Sequence, residues 1–223
     1  MARKAFEKEL EDLSDEVAKM AKLAVESITL AVKSFVDIDV QTAKKVFDID
    51  LQLYKMDLEI EKKCLDLIAL QTPVARDLRT IGTCLKIITN LDRIGRYAAD
   101  ISEVTINIAE KTHFKKLVSI QMMANITVSM VTNAVQSFID RDISLVKKIF
   151  SDEESVDALY EEIFREVLTY MIEDPKTISL GIQYILVARY LERIADHACS
   201  IAERVVYMVK GERVHLKMRA RSG

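Results

Sequence analysis

Glu192, Asp196 and Glu203 lie four and eleven residues apart. Four residues turn an α-helix by about 400° and eleven by about 1100°, so the three carboxylates share one narrow sector. Beside them runs an apolar row of Leu191, Ile194, Ala195, Ala198, Ile201 and Val205, which places the acids at the border of a buried seam. Asp92, Asp100 and Glu103 form the corresponding stripe about a hundred residues earlier. Like charges one turn apart repel, so an isolated helix gains nothing from them. Several carboxylate oxygens converging on a hard cation remove that cost, and acids drawn from neighbouring helices are one way in which bundles hold metals. The competing reading is a solvated charged face on which Arg93, Arg96, Arg189 and Arg193 pair with the acids. Recurrence of the acids in register in both halves favours a site.

That recurrence extends beyond the acids. Residues 31–47, AVKSFVDIDVQTAKKVF, and residues 134–150, AVQSFIDRDISLVKKIF, share nine of 17 positions at an offset of 103. Residues 91–103, LDRIGRYAADISE, and 191–203, LERIADHACSIAE, share six of 13 at an offset of 100. Two repeats in the same order mean a duplicated unit and a pseudo-symmetric structure.

The elements that position these residues are long helices. Only five Gly and two Pro interrupt 223 residues, and so few breakers leave helices uninterrupted. The stripe Leu10, Leu13, Val17, Met20, Ala24, Ile28, Ala31, Phe35 predicts a first helix over about 4–36. Asp37-Ile38-Asp39 makes a corner, with Asp39 as N-cap of a second helix that stops near Gln71-Thr72. A third helix, capped by Thr72 with Pro73 in its first turn, runs to about 111. The second repeat predicts helices over about 116–139, over 143–172 with a kink near Ser151-Asp152, and from Asp174-Pro175 to Lys210 with a stop at Gly211. The fold expected is all-α: two tandem three-helix bundles, over residues 1–112 and 113–223.

Composition narrows function. A net charge of −3 favours neither nucleic acid nor an anionic membrane. Cys64, Cys84 and Cys199 are scattered and odd in number, which reads as buried or free thiols in a reducing compartment. Residues 117–139 carry no charge and are long enough to span a bilayer. Asn125, Ser129, Thr132 and Gln136 nevertheless form a polar stripe, which suits an amphipathic helix of a soluble protein. No GxxxxGK[ST], HExxH or GxSxG string occurs. His197 follows Asp196 but diverges from it by about 100° on a helix, away from the acids. The tail GERVHLKMRARSG is basic with little apolar patterning and reads as a frayed end.

Four strings carry a family resemblance: ALQTPVARDLRTIG at 69–82, LDRIGRYAADISE at 91–103, YLERIADHACSIAE at 190–203, and the paired SFxDxD corners. Together they resemble the PhoU family of phosphate-transport regulators. The resemblance implies a cytoplasmic, non-enzymatic protein that dampens phosphate uptake and phosphate-starvation signalling. It would contact the ATPase of a phosphate ABC transporter and, in many bacteria, a sensor histidine kinase. It would reach the membrane through partners only, bind no nucleic acid, and be compatible with a homodimer. It also implies a metal ion (iron, zinc, manganese or magnesium) at the acidic motifs. Carried over by position, the second half supplies Glu192 and Asp196, with Glu203 on the same stripe and Glu153 and Asp157 one helix earlier. The first half supplies Asp92, Asp100, Glu103 and Asp50, but has Arg96 and Tyr54 where acids usually stand. The asymmetry predicts that metal binding is dominated by the second half, with Arg96 as a fixed cation balancing Asp92 and Asp100. The alternatives are a helical scaffold whose acids are surface charge, an accessory protein of another phosphate transporter, and a metal-dependent enzyme. The last lacks a nucleophile-and-base set.

Overall fold

The computed structural model describes residues 2–213, side chains from residue 4. It contains six long helices in the predicted order: α1 (Ala2–Asp37), α2 (Val40–Leu70), α3 (Ala75–Asn107), α4 (Val118–Asp140), α5 (Val146–Glu173) and α6 (Ile178–Lys210). A single 3-10 turn, Pro175–Thr177, precedes α6. The reading of the tail as a frayed end falls largely on residues 214–223, outside the described residues.

The two SFxDxD corners are built alike. Ile38 and Arg141 both take the left-handed conformation at φ 52°. The amide of Asp39 donates to Ser34 O at 2.9 Å, and that of Asp142 donates to Ser137 O at 3.1 Å. Asp39 caps α2 as predicted, its Oδ1 accepting from the amides of Gln41 and Thr42. These hydrogen bonds and that of Thr42 Oγ1 hold its carboxyl below the ordinary range. Asp142 likewise accepts from the Ser144 amide at 3.1 Å.

Two sequence expectations need correction. Thr72 and Pro73 do not open α3. They lie in the connection, and Val74 stands at the N-cap without a side-chain cap. The third helix ends at Asn107 rather than 111. α5 runs unbroken through Ser151-Asp152. Ser and Asp are poor helix formers but do not break a helix whose Ile149, Glu153 and Val156 are buried.

α1, α2 and α3 pack on one another, as do α4, α5 and α6. The two bundles meet through α3 against α6 and α1 against α4, and one apolar core runs through both. The α3–α6 seam shows the duplication directly. Asn90 corresponds to Tyr190, and Tyr97 to His197. Tyr97 packs on Tyr190 with ring centroids 6.0 Å apart, and the mirrored pair is a hydrogen bond between Asn90 Oδ1 and His197 Nδ1 at 2.8 Å. A contact whose mate is made by the exchanged residues marks a pseudo-twofold interface. His113, in the connection between the bundles, fastens both. One ring nitrogen meets Tyr184 OH on α6 at 2.8 Å, and the other meets Phe35 O on α1 at 2.9 Å.

α4 is the one described helix apolar and long enough to cross a membrane. Here it packs in the core through Met123, Thr127, Met130, Ala134 and Phe138, with Asn125, Thr132 and Gln136 exposed. All three cysteines are buried and free.

Candidate functional site

The acidic residues lie on the outward borders of α2–α3 and α5–α6. Each border is set by the same geometry, in which apolar rows of the two helices pack together and their flanks converge. In the first bundle Asp50 is buried on α2, Asp92 and Asp100 are half-buried on α3, and Glu103 is exposed. Arg96 reaches across from α3, placing Nη1 2.9 Å from Asp50 Oδ2. This corrects the expected pairing: the direct partner of Arg96 is Asp50 on the neighbouring helix, not Asp92. Its charge is still felt at Asp100.

A residue missed by sequence reasoning joins this cluster. Asp57 lies seven residues, two turns, after Asp50, and so returns to the same face of α2. That spacing was the available signal. Burial pushes the Asp57 carboxyl upward, and neighbouring Asp92 and Glu61 add to the effect. Burial likewise raises Asp50, opposed by Arg96 and helped by Asp92. Asp100 is raised by burial and by Glu103, Arg96 opposing. One carboxylate oxygen on each of Asp50, Asp57 and Asp92 is buried and accepts no hydrogen bond. A buried acceptor without a donor is costly, so this face is short of positive charge even with Arg96 in place.

In the second bundle Glu153 is buried and Asp157 exposed on α5, and Glu192, Asp196 and Glu203 are half-buried on α6. Arginines meet these acids as the solvated-face reading required. Arg189 pairs with Glu192, and Arg193 Nη1 lies 3.3 Å from Asp196 Oδ2. Arg189 also lies 5.9 Å from the centre of the Tyr160 ring. Tyr160 stands at the position of Asp57 in the first repeat. His197 Nδ1 is hydrogen-bonded with Asn90 Oδ1 at 2.8 Å across the bundle interface, and burial lowers its pKa, with Asp196 opposing.

The donor set is therefore oxygen-only, which suits a hard cation. In this arrangement, among the described residues, no three Asp, Glu, His or Cys side chains converge closely enough to hold an ion. The residues fit a metal in chemistry, and in the unsatisfied oxygens of Asp50, Asp57 and Asp92. They do not fit it in the present rotamers of Glu192 and Asp196, which face arginines.

Fold and paired acidic faces define a duplicated three-helix-bundle protein. A model of the PhoU domain matches residues 17–105 and again 120–205. The chain belongs to the PhoU family. It is 40% identical over 213 residues to the phosphate-specific transport system accessory protein PhoU homologue of Aquifex aeolicus, covering 94% of this chain and 96% of that relative. The crystal structure of PhoU from Pseudomonas aeruginosa superposes with a TM-score of 0.89 at 34% identity, covering 93% of this chain and 100% of that one. The phosphate transport system regulatory protein PhoU from Streptococcus pneumoniae gives a TM-score of 0.87 at 26% identity, covering 95% and 100%.

Proposed function

We propose that this chain is a non-enzymatic accessory regulator of phosphate uptake and phosphate-starvation signalling. It acts by binding the ATPase of a phosphate ABC transporter and, where one is present, a phosphate-sensing histidine kinase. The observation that carries the reading is the end-to-end similarity to a relative named as a phosphate-transport accessory protein. The geometry agrees with a binding rather than a catalytic role. The cysteines are buried, and burial raises the Cys64 thiol to about 12. His113 and His197 are both engaged in structural hydrogen bonds. In this reading a hard metal ion binds at Glu153, Asp157, Glu192 and Asp196, with Glu203 at the margin. Asp50, Asp92, Asp100 and Glu103 form the weaker counterpart. The ion would cross-link α5 to α6 and cancel carboxylate repulsion.

The test is deletion of the gene together with affinity capture at high and low phosphate. A transport ATPase or sensor kinase should co-purify, and deletion should raise phosphate uptake. Unchanged uptake with no such partner would overturn the reading. The scaffold alternative draws support from the Arg189–Glu192 and Arg193–Asp196 pairs. It requires that protein purified without chelator carry no stoichiometric metal.

A further inference from the structure

We propose that the outer groove between α2 and α3 is the docking site for an amphipathic helix of a partner protein, one with acids beside its apolar row. Phe47, Leu51, Tyr54, Leu58, Leu65 and Ile68 on α2 are each between 37% and 54% exposed. They follow one another at steps of four, three, four, seven and three residues, with Glu61 in the gap. That is the a/d spacing of a coiled-coil seam, with Leu51, Leu58 and Leu65 at equivalent points. The stripe runs about 32 Å along the helix. The inward face of α2 is already used, with Leu53, Ile60, Cys64 and Leu67 buried in the core. The seam is a second apolar face, turned outward.

The fold does not require this face. At the positions of Leu51, Tyr54 and Leu58 the second repeat has Glu154, Asp157 and Glu161, all exposed on α5. The equivalent helix of the other bundle is thus built with acids where α2 has apolar side chains. α3 supplies the second wall of the groove. Arg96 on α3 points at Asp50 on α2. Thr89, Leu85, Gly82 and Leu78 lie seven, eleven, fourteen and eighteen residues before it and share its helical phase. Leu78 is exposed, and an added Cβ at Gly82 would meet nothing within 4 Å. Along that row the wall is uncharged, and at Gly82 it is open.

Charge selects the occupant. On the edge away from α3 the seam is flanked by Lys55 and Lys62, both exposed and one heptad apart. Neither has an ion-pair partner among the described residues. Asp48 continues that edge one heptad earlier, and Glu61 is the one charge inside the seam. A second copy matches this badly. Parallel pairing stacks Glu61 on its own counterpart, and antiparallel pairing sets Lys55 beside Lys62 twice. The helix that fits carries acids opposite Lys55 and Lys62 and bases opposite Asp48 and Glu61. This inference gives the accessory role a surface and a contact chemistry, and rests on that reading only for the partner's identity.

The probes are two synthetic helices long enough to cover Phe47–Ile68, both with leucine and isoleucine in the seam. One has glutamate opposite Lys55 and Lys62 and lysine opposite Asp48 and Glu61, and the other has these signs exchanged. The full-length chain should bind the first saturably at low salt and the second about tenfold or more weakly. Leu51→Glu/Leu58→Glu copies residues that the second repeat already carries, so the helical spectrum should be unchanged while binding is lost. Lys55→Glu/Lys62→Glu should reverse the preference between the peptides. Binding of neither peptide, equal affinity for both, or binding untouched by Leu51→Glu/Leu58→Glu would overturn the assignment. A wild-type dimer that this variant converts to a monomer would overturn it in favour of a second copy. The purified ATPase of the phosphate transporter separates the two readings. Capture by wild type and not by the variant supports both. Capture by both removes the groove as the partner site and leaves the transport role standing. Peptide binding without ATPase capture supports the groove and counts against the transport role alone.

Discussion

Arg96 Nη1 on α3 stands 2.9 Å from Asp50 Oδ2 on α2, at the position that the second repeat fills with Asp196. A fixed cation in one half thus replaces a carboxylate in the other. The Arg96 side chain is 53% exposed and that of Asp50 only 10%, so solvent screens the arginine while the acid is left to lose its partner. Arg96→Ala is expected to lower stability by about 1–2 kcal/mol, between the value of an exposed pair and that of stranding a buried charge. For a chain of this size that is about 3–6 °C in melting temperature. Arg96→Asp should restore an all-acid face and raise metal stoichiometry. A melting curve for Arg96→Ala that overlays wild type, with no metal gained by Arg96→Asp, would mark Arg96 as a plain surface residue.

Metal content should divide unequally between the halves. The second carries Glu153, Asp157, Glu192 and Asp196 without an intruding basic residue at those positions, although Arg189 and Arg193 must swing away. Glu192→Ala/Asp196→Ala is expected to lose most of the bound metal, and Asp92→Ala little, by elemental analysis after identical purification. Equal losses would show that the unsatisfied oxygens of Asp50, Asp57 and Asp92 outweigh the arginine beside them.

The helices and their duplication were legible in the sequence because apolar spacing and SFxDxD corners are local signals. The opening of α3 was not. Thr72-Pro73 has the composition of a cap and first turn, but the chain spends those residues in crossing from α2 to α3. At the site, the stripes were readable and the pairings were not. Helical phase places Arg96 one turn from both Asp92 and Asp100, and only the packing of α2 against α3 shows that Asp50 lies nearer. Asp57 escaped notice because its counterpart in the second repeat is Tyr160, so a search for acids matched between repeats passes over it.

Asp57 gives a pH-dependent test. Its folded-state carboxyl titrates above the ordinary value because of burial and of Asp92 and Glu61. The folded protein therefore holds this proton more tightly than the unfolded chain. The associated stability is complete below the unfolded carboxyl pKa and is lost as pH rises through the folded one. At pH 7 ionised Asp57 is a cost. Asp57→Asn should raise the melting temperature at pH 7, and the gain should shrink as pH falls through the carboxylate range, where wild-type Asp57 takes up its proton. If the difference from wild type does not change with pH, charge at Asp57 is not its cause.

The last prediction concerns a size exchange between the repeats. Leu53 on α2 packs over Gly95 on α3, and an added Cβ at Gly95 would run into Leu53 Cδ1 and lie 3.6 Å from its Cβ and Cγ. Leu53 is fully buried, so displacing its Cδ1 means moving it against the close-packed core. In the second repeat the same two positions are Val156 and Ala195, both fully buried. One side chain has shrunk where the other has grown. Gly95→Ala alone should destabilise: overpacking costs about 1–3 kcal/mol and outweighs the gain of about 1 kcal/mol from replacing glycine in a helix. Leu53→Val alone should cost about 1 kcal/mol for the buried methylene it removes. The double variant rebuilds the Val156–Ala195 pair and should be more stable than either single one, with a coupling energy of about 1–2 kcal/mol in a double-mutant cycle. Additive losses in urea denaturation would mean that the helices part to admit the methyl group, and that glycine at 95 is not what sets the approach of α2 to α3.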